Sequence, residues 1–259
     1  MLTLRASGGA GLGRILFALA LLGFGVENVL FGHYVVARAT PWPADPSMRF
    51  VVASVTGAVF LASGAAMLMG RFVREAGIAT AALMLGWMII LRLPGAIAGP
   101  AWSGDWTNVL KAATLASGAI GVAVADGQPT GAVLRMLRTI GPYMAGAFFL
   151  LGGIQHFMFA GFVQTLVPRF IPGPYFWTYF AGVALIATGI GFCVPPLRRI
   201  TGLLAAAMVF SWVFLVHVPL VYTVGPVEWM GVFEALGISG VCLILRPLRI
   251  APMNVPRTR

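Results

Sequence analysis

Charged side chains are scarce in this sequence of 259 residues. They make up 9% of the chain, whereas hydrophobic residues make up 59% and the mean hydropathy is +0.94. Soluble globular domains contain about 25% charged residues, so this composition excludes an ordinary soluble domain. Alternation of polar and apolar residues with a period of two is also absent, which argues against a membrane β-barrel. The sequence therefore predicts an all-α integral membrane protein.

Cysteine and the common catalytic motifs are also rare or absent. The chain has two cysteines, Cys193 and Cys242, which do not form a CxxC spacing. Their expected role is helix packing, so thiol–disulfide chemistry is disfavoured. The sequence contains no HExxH metal-ligand spacing, no glycine-rich phosphate-binding loop and no nucleophile elbow. No metal site is predicted, and no enzyme class is indicated by a motif.

Long apolar runs are abundant. A helix needs about 20 apolar residues to cross the hydrocarbon core of a membrane, and eight runs of about that length can be counted. The sequence thus predicts eight transmembrane helices. Their expected ranges are 13–36, 48–69, 76–97, 106–125, 139–162, 174–194, 200–221 and 229–245.

The 17 arginine and lysine residues give a net charge of +10 but form no cluster and no extended polar segment. This distribution disfavours nucleic acid as a partner. With eight helices both termini lie on one side of the membrane, and twelve basic residues fall on that side against five on the other. The positive-inside rule therefore predicts that both termini are cytoplasmic. The five on the predicted outer side are Arg38, Arg49, Arg92, Lys111 and Arg169.

The two halves of the sequence align with each other. TGAVFLASG at residues 56–64 matches AGVALIATG at 181–189, and LRLP at 91–94 matches VHVP at 216–219. Because four helices per half is an even number, both halves have the same orientation, as in a parallel repeat related by an axis along the membrane normal. The predicted domains are a first four-helix repeat at 1–125, a cytoplasmic linker at 126–138 and a second four-helix repeat at 139–259.

Polar side chains interrupt the apolar runs at aligned positions of the two halves. GVEN at residues 25–28 aligns with GIQH at residues 153–156. A charge inside a membrane costs at least about 2.5–3.5 kcal/mol, so such residues are expected to face the bundle interior and to have partners. The aligned sets are Glu27, Asn28, Arg92 and Lys111 in the first half, and Gln155, His156, His217 and Glu234 in the second.

In the first half, opposite charges occur at similar depth. Counting about 1.5 Å of rise per residue brings Glu27 level with Lys111, and Arg92 supplies another cation nearby. We therefore predict a structural ion pair between Glu27 and Lys111, assisted by Arg92. Its expected role is to neutralise buried charge and to fix the helix register.

In the second half, the same counting brings His156 and His217 to one level near the outer surface, with Glu234 approaching from the last helix. Three interpretations stay open: structural histidines, ligation of haem or a metal ion, and a quinone or another lipid-like ligand stacked on Trp212 or Trp177. Quinone is favoured over haem or metal, because the membrane supplies lipophilic ligands and imidazole exchanges protons near neutral pH. The predicted ligand-binding residues are Gln155, His156, Trp212, His217 and Glu234.

A family resemblance is carried by residues 153–192, GIQHFMFAGFVQTLVPRFIPGPYFWTYFAGVALIATGIGF, followed by HVP at 217–219. With its Gly-x-x-His start, its VP…IP loop and its YFAGVALI helix, the second half resembles the DoxX-like family of bacterial membrane proteins. The first half carries the resemblance more weakly. The resemblance implies a four-helix unit and an inner-membrane location. Some members are named from a thiosulfate:quinone oxidoreductase, which implies a quinone-linked redox role.

Together these features predict a multi-pass protein of the bacterial inner membrane that binds a lipophilic ligand on its outward side as a component of a redox system. An accessory subunit is favoured over a stand-alone enzyme, with membrane lipid and other membrane subunits as partners. Two further functions stay open. One is a transporter or exporter component, which broken helices at Pro94 and Pro219 would favour. The other is a structural subunit of a larger complex.

Overall fold

The computed structural model describes residues 8–32, 43–125 and 131–246, and the regular elements in these ranges are all helical. Eight long helices account for most of them. They are α1 (Gly8–Phe31), α2 (Pro46–Met69), α3 (Val73–Ala98), α4 (Gly104–Ala123), α5 (Ala132–Met158), α6 (Pro174–Cys193), α7 (Pro195–Thr223) and α8 (Trp229–Leu245).

Seven of these helices are long and apolar enough to cross a membrane, which confirms the predicted all-α membrane class. The exception is α4, whose stretch from Ala112 to Ile120 is buried throughout. Because other helices surround it, α4 is mostly buried, and it is rich in small residues such as alanine, serine and glycine. Its lower hydropathy follows from this central position.

The helices pack as two five-membered rings that share α4 and α8. The first ring runs through α1, α2, α3, α4 and α8, and the second through α5, α6, α7, α8 and α4. Helix α1 therefore packs against the last helix of the second half, and α5 against the last helix of the first half. The two halves interlock, so neither ring is complete without a helix from the other half.

Glycines bring neighbouring helices together in the same way in both halves. In the first half, a Cβ atom on Gly25 would lie 2.8 Å from the carbonyl oxygen of Gly57 on α2. At the aligned place in the second half, a Cβ atom on Gly153 would lie 2.8 Å from the carbonyl oxygen of Gly182 on α6. Small residues at such crossings let helix backbones approach closely in a membrane. The α1–α2 and α5–α6 pairs are thus packed alike.

The crossing of α1 and α8 makes a testable prediction about stability. A Cβ atom on Gly240 would lie 2.7 Å from the carbonyl oxygen of Gly13. Overpacking a tight contact costs about 1–3 kcal/mol, so Gly240→Leu should lower the melting temperature of the purified protein clearly. The matched control is Gly86→Leu, because a Cβ atom on Gly86 meets no other atom within 4 Å. Equal melting temperatures for the two variants would contradict the crossing.

Each half also contains one π-helical segment, and each segment precedes a proline. Met88–Arg92 lies within α3 just before Pro94, and Val213–His217 lies within α7 just before Pro219. Proline lacks an N–H and its ring clashes with the carbonyl four residues earlier, and a widened turn relieves that clash. The two helices therefore continue through their prolines instead of breaking there.

The predicted linker at 126–138 requires a correction. Helix α5 begins at Ala132, not at 139, so the part from Ala132 to Arg138 is helical, while residues 126–130 lie outside the described ranges. The polar residues, proline and glycines of this stretch favoured a loop. Arg135 and Arg138 instead lie one turn apart on a helix that extends beyond the apolar run, which hydropathy alone does not reveal. Both chain termini and the predicted end of the first helix, at 36, also lie outside the described ranges.

Candidate ligand-binding cavity

The helices of the second ring line a half-open cavity of about 450 Å³. Cavities of about 300–1,000 Å³ are typical of small-molecule sites. Much of its wall is apolar and comes from Phe148, Phe149, Leu185, Val209 and Ile238. All five predicted ligand-binding residues line this one cavity: Gln155, His156, Trp212, His217 and Glu234. They come from α5, α7 and α8. The fold thus brings together side chains that the rise per residue along each helix had placed at similar depths in the membrane.

His156 is held by its own helix. Its Nδ1 lies 2.7 Å from the carbonyl oxygen of Gly152, one turn earlier on α5. A carbonyl only accepts hydrogen bonds, so Nδ1 carries the proton and donates it. In the neutral imidazole the other nitrogen, Nε2, is then an acceptor, and His156 makes no further hydrogen bond within the described chain. The ring thus offers an acceptor to the cavity.

Glu234 is paired with Lys111 across the two halves of the protein. Lys111 Nζ donates to Glu234 Oε2 over 2.6 Å, and the side chains are only 17% and 9% exposed. This differs from the predicted pairing of Lys111 with Glu27. The two residues occupy aligned positions of the repeat, on the two helices that both rings share. The second carboxylate oxygen, Glu234 Oε1, is buried and has no hydrogen-bond partner among the described residues.

The polar residues of the first half are buried, but the predicted pairing of Glu27 with Lys111 is not formed. Glu27 is 3% exposed, and neither of its carboxylate oxygens accepts a hydrogen bond within the described part of the chain. Arg92 is buried at the end of its π segment, and Asn28 is fully buried. Lys111 lines the cavity of the second ring instead.

Both the oxygen and the nitrogen of the Gln155 side-chain amide form hydrogen bonds. Its Oε1 accepts from the Thr107 hydroxyl over 2.6 Å, and its Nε2 donates to the carbonyl oxygens of Trp102 and Ser103 over 2.9 and 3.1 Å. These bonds tie α5 to the start of α4 and the turn before it. Gln155 therefore lines the cavity as a positioning residue, with its hydrogen-bonding groups already used.

His217 reaches the cavity because α8 carries a glycine opposite it. A Cβ atom on Gly231 would lie 2.5 Å from the imidazole Nδ1 of His217. Only glycine leaves room for the ring at this place. The sequence analysis missed Gly231, and it also missed Lys111 as a member of this site.

The first ring has an aromatic cluster where the second has its cavity. Phe24, Phe60 and Trp87 come from α1, α2 and α3, and the two phenylalanines are fully buried. The ring centroids of Phe24 and Phe60 are 6.1 Å apart, and those of Phe60 and Trp87 are 5.6 Å apart. These aromatic contacts fill the space between the helices.

Smaller residues at the aligned positions account for the cavity. The repeat alignment places Gly152 opposite Phe24, Leu185 opposite Phe60 and Trp212 opposite Trp87. All three second-half residues line the cavity. A Cβ atom on Gly152 would meet no other atom within 4 Å, so the benzyl group of Phe24 has no counterpart in the second ring. At two of these three positions the second ring has a smaller side chain than the first.

The described residues include no group of three or more His, Cys, Asp or Glu side chains that would hold a metal ion. His156 and His217 share the cavity with a single carboxylate, which is already paired with Lys111. The free acceptor of His156 and the apolar walls suit an organic ligand.

Residues 144–236 match the model of a family described as a domain of unknown function, DUF8561. No curated protein and no solved structure matches the chain. The matched segment contains all five predicted ligand-binding residues together with Gly152 and Gly231, and it ends before the C-terminal part of α8.

Proposed function

We propose that this chain is a DoxX-like protein of the bacterial inner membrane that binds a lipophilic ligand with a polar head, a quinone, as the membrane component of a redox system. The observation that carries the proposal is the convergence of His156, His217 and Glu234 on one largely apolar cavity. A cavity wall of this composition matches a ligand with an apolar body and one hydrogen-bonding end.

The head group and the apolar tail of a quinone would contact different residues of this cavity. Trp212 offers an aromatic face for the ring, and the phenylalanines of α5 offer an apolar wall for the tail. His156 Nε2 is a free acceptor, and Lys111 fixes the Glu234 carboxylate. As a ligand-binding subunit, the protein would work with other membrane subunits that supply or remove electrons.

The proposal includes eight spanning helices arranged as two parallel repeats, with both termini in the cytoplasm. The matched glycine crossings and the matched π segments support the repeat. In this arrangement the turn before α4 faces outward and the start of α3 faces the cytoplasm.

Labelling with an impermeant thiol reagent tests the orientation. Ala101 and Glu75 are both exposed and lie at opposite ends of α3. In a background lacking Cys193 and Cys242, Ala101→Cys should be labelled in spheroplasts, whereas Glu75→Cys should be labelled only after the membrane is opened. The reverse pattern would overturn the proposed orientation.

Quinone extraction tests the ligand. The protein purified in mild detergent from its native membranes should carry quinone that solvent extraction and mass spectrometry detect. His156→Ala and His217→Ala should each lower this quinone content several-fold while the melting temperature of the ligand-free protein changes little. Cys193→Ser serves as the control, since Cys193 does not line the cavity. A wild-type protein without quinone, with histidine variants that change only stability, would contradict the proposal.

A further inference from the structure

The seam between α6 and α7 is tight at one end of the two helices and loose at the other. Gly191 of α6 packs closely against Thr201 of α7, near the ends that are cytoplasmic in the proposed orientation. Helix α6 packs against Arg198–Trp212 of α7 but makes no comparable contact with residues 213–223. The last part of α7, Val218–Thr223, contains no buried residue. The two helices therefore diverge toward their outward ends.

The half-open cavity reaches this seam. Leu185 of α6 and Trp212 of α7 both line it, and Trp212 is only half-buried. At the usual rise per residue, both lie about 17 Å from the outward ends of their helices, Pro174 and Thr223. The hydrocarbon core of a membrane is about 30 Å thick, so this depth is occupied by lipid tails and not by water. The seam therefore joins the cavity to the hydrocarbon of the membrane.

The first ring closes the corresponding seam between α2 and α3 with an aromatic pair. Phe60 and Trp87 occupy the positions aligned with Leu185 and Trp212, and their rings meet edge to face with centroids 5.6 Å apart. Phe60 is fully buried by this packing. Leucine at position 185 keeps the apolar character but lacks the phenyl ring that would face Trp212. The aligned pair thus leaves the seam of the second ring without the contact that closes the first.

We infer that the ligand enters the cavity sideways from the membrane, between α6 and α7, and that its tail extends through this seam into the lipid while its head is bound. The inference rests on the proposed function, because it names the part of the ligand that the same site encloses. The cavity of about 450 Å³ then holds the head and the first part of the tail. The length of the remaining tail is not limited by the protein, so the site takes long-tailed membrane lipids of the quinone type.

Binding of three compounds with one benzoquinone ring tests the inference. They carry a methyl group, a decyl tail or an isoprenoid tail several times longer, and immobilised, delipidated protein is equilibrated with each in detergent micelles. Bound compound is measured by mass spectrometry after subtraction of the amount on an unrelated membrane protein. The decyl and isoprenoid compounds should bind the wild-type protein with affinities within about threefold of each other, because the outer tail stays in hydrocarbon in either state. Leu185→Phe should weaken both at least about tenfold by overpacking the seam, and should change the methyl compound less than about threefold.

The matched control is Leu204→Phe, which makes the same change on the exposed face of α7, outside the cavity, and should leave all three affinities unaltered. If the isoprenoid compound bound far more weakly than the decyl compound, the tail would have to fit inside the cavity, and the inference would be wrong while the proposed function stood. Unchanged tail binding in Leu185→Phe, or an equal loss for all three compounds, would also contradict exit through this seam. Binding of none of the three to the wild-type protein would overturn the proposed function itself. The comparison of tails on the wild-type protein remains decisive even if Leu185→Phe fails to fold.

Discussion

Lys111→Met should lower the free energy of unfolding by about 3–5 kcal/mol, because it leaves Glu234 as an unpaired buried charge. Glu234→Gln should have a cost of similar size, since Lys111 then loses its carboxylate contact at 2.6 Å. The double variant should lose less than the sum of the two, since it buries no unpaired charge. Thermal and denaturant unfolding in detergent measure all three.

A second double-mutant cycle, with Glu27 and Lys111, distinguishes the observed Lys111–Glu234 pair from the pair that the sequence predicted. Glu27→Gln and Lys111→Met should show weaker coupling than Lys111 and Glu234, because the structure gives Glu27 and Lys111 no direct contact. Lys111 and Glu234 should instead show a coupling of about 1–3 kcal/mol. Strong coupling to Glu27 and none to Glu234 would mean that the interlocked arrangement of α4 and α8 is wrong.

Gly152→Phe should abolish ligand binding and leave the protein folded. The substitution gives the second ring the side chain that the first ring has at Phe24, and the benzyl group enters space that contains no other atom within 4 Å of the Cβ position. Glycine disfavours a helix by about 0.8–1 kcal/mol relative to alanine, and replacing it with phenylalanine removes part of that cost. We therefore expect at least a tenfold loss of extractable quinone together with an unchanged or higher melting temperature for the ligand-free protein.

The matched control for this prediction is Gly86→Phe. Gly86 is also a helical glycine whose Cβ position meets no other atom within 4 Å, but it does not line the cavity. Gly86→Phe should keep its quinone. If Gly152→Phe retained as much quinone as Gly86→Phe, the ligand would lie elsewhere on the protein.

Depth along a helix was predictable from the sequence. The rise of about 1.5 Å per residue placed His156, His217 and Glu234 at neighbouring levels, and they line one cavity. The partner of Lys111 was not predictable in this way, because depth says nothing about which helices are neighbours. The choice of Glu27 assumed that each half closes on itself, whereas α4 packs against α8 of the other half.

The sequence also contained evidence for the cavity that was not used, namely smaller residues at aligned positions of the second half. Aligning the halves sets Gly152 against Phe24 and Leu185 against Phe60, which is a loss of volume at two adjacent positions of the second ring. The sequence thus contained a loss of volume at two of the positions that line the cavity. The free acceptor on His156 needed the structure, because it depends on the contact of Nδ1 with the Gly152 carbonyl.

An experimental density map of the protein purified from its native membranes is the most direct test of a ligand site confined to the second ring. The account predicts ligand density between His156, Trp212 and Glu234, and side-chain density alone between Phe24, Phe60 and Trp87. Mass spectrometry of the same sample should identify a quinone or hydroquinone. A second ring closed by its own side chains, with no ligand density in the preparation, would contradict the account.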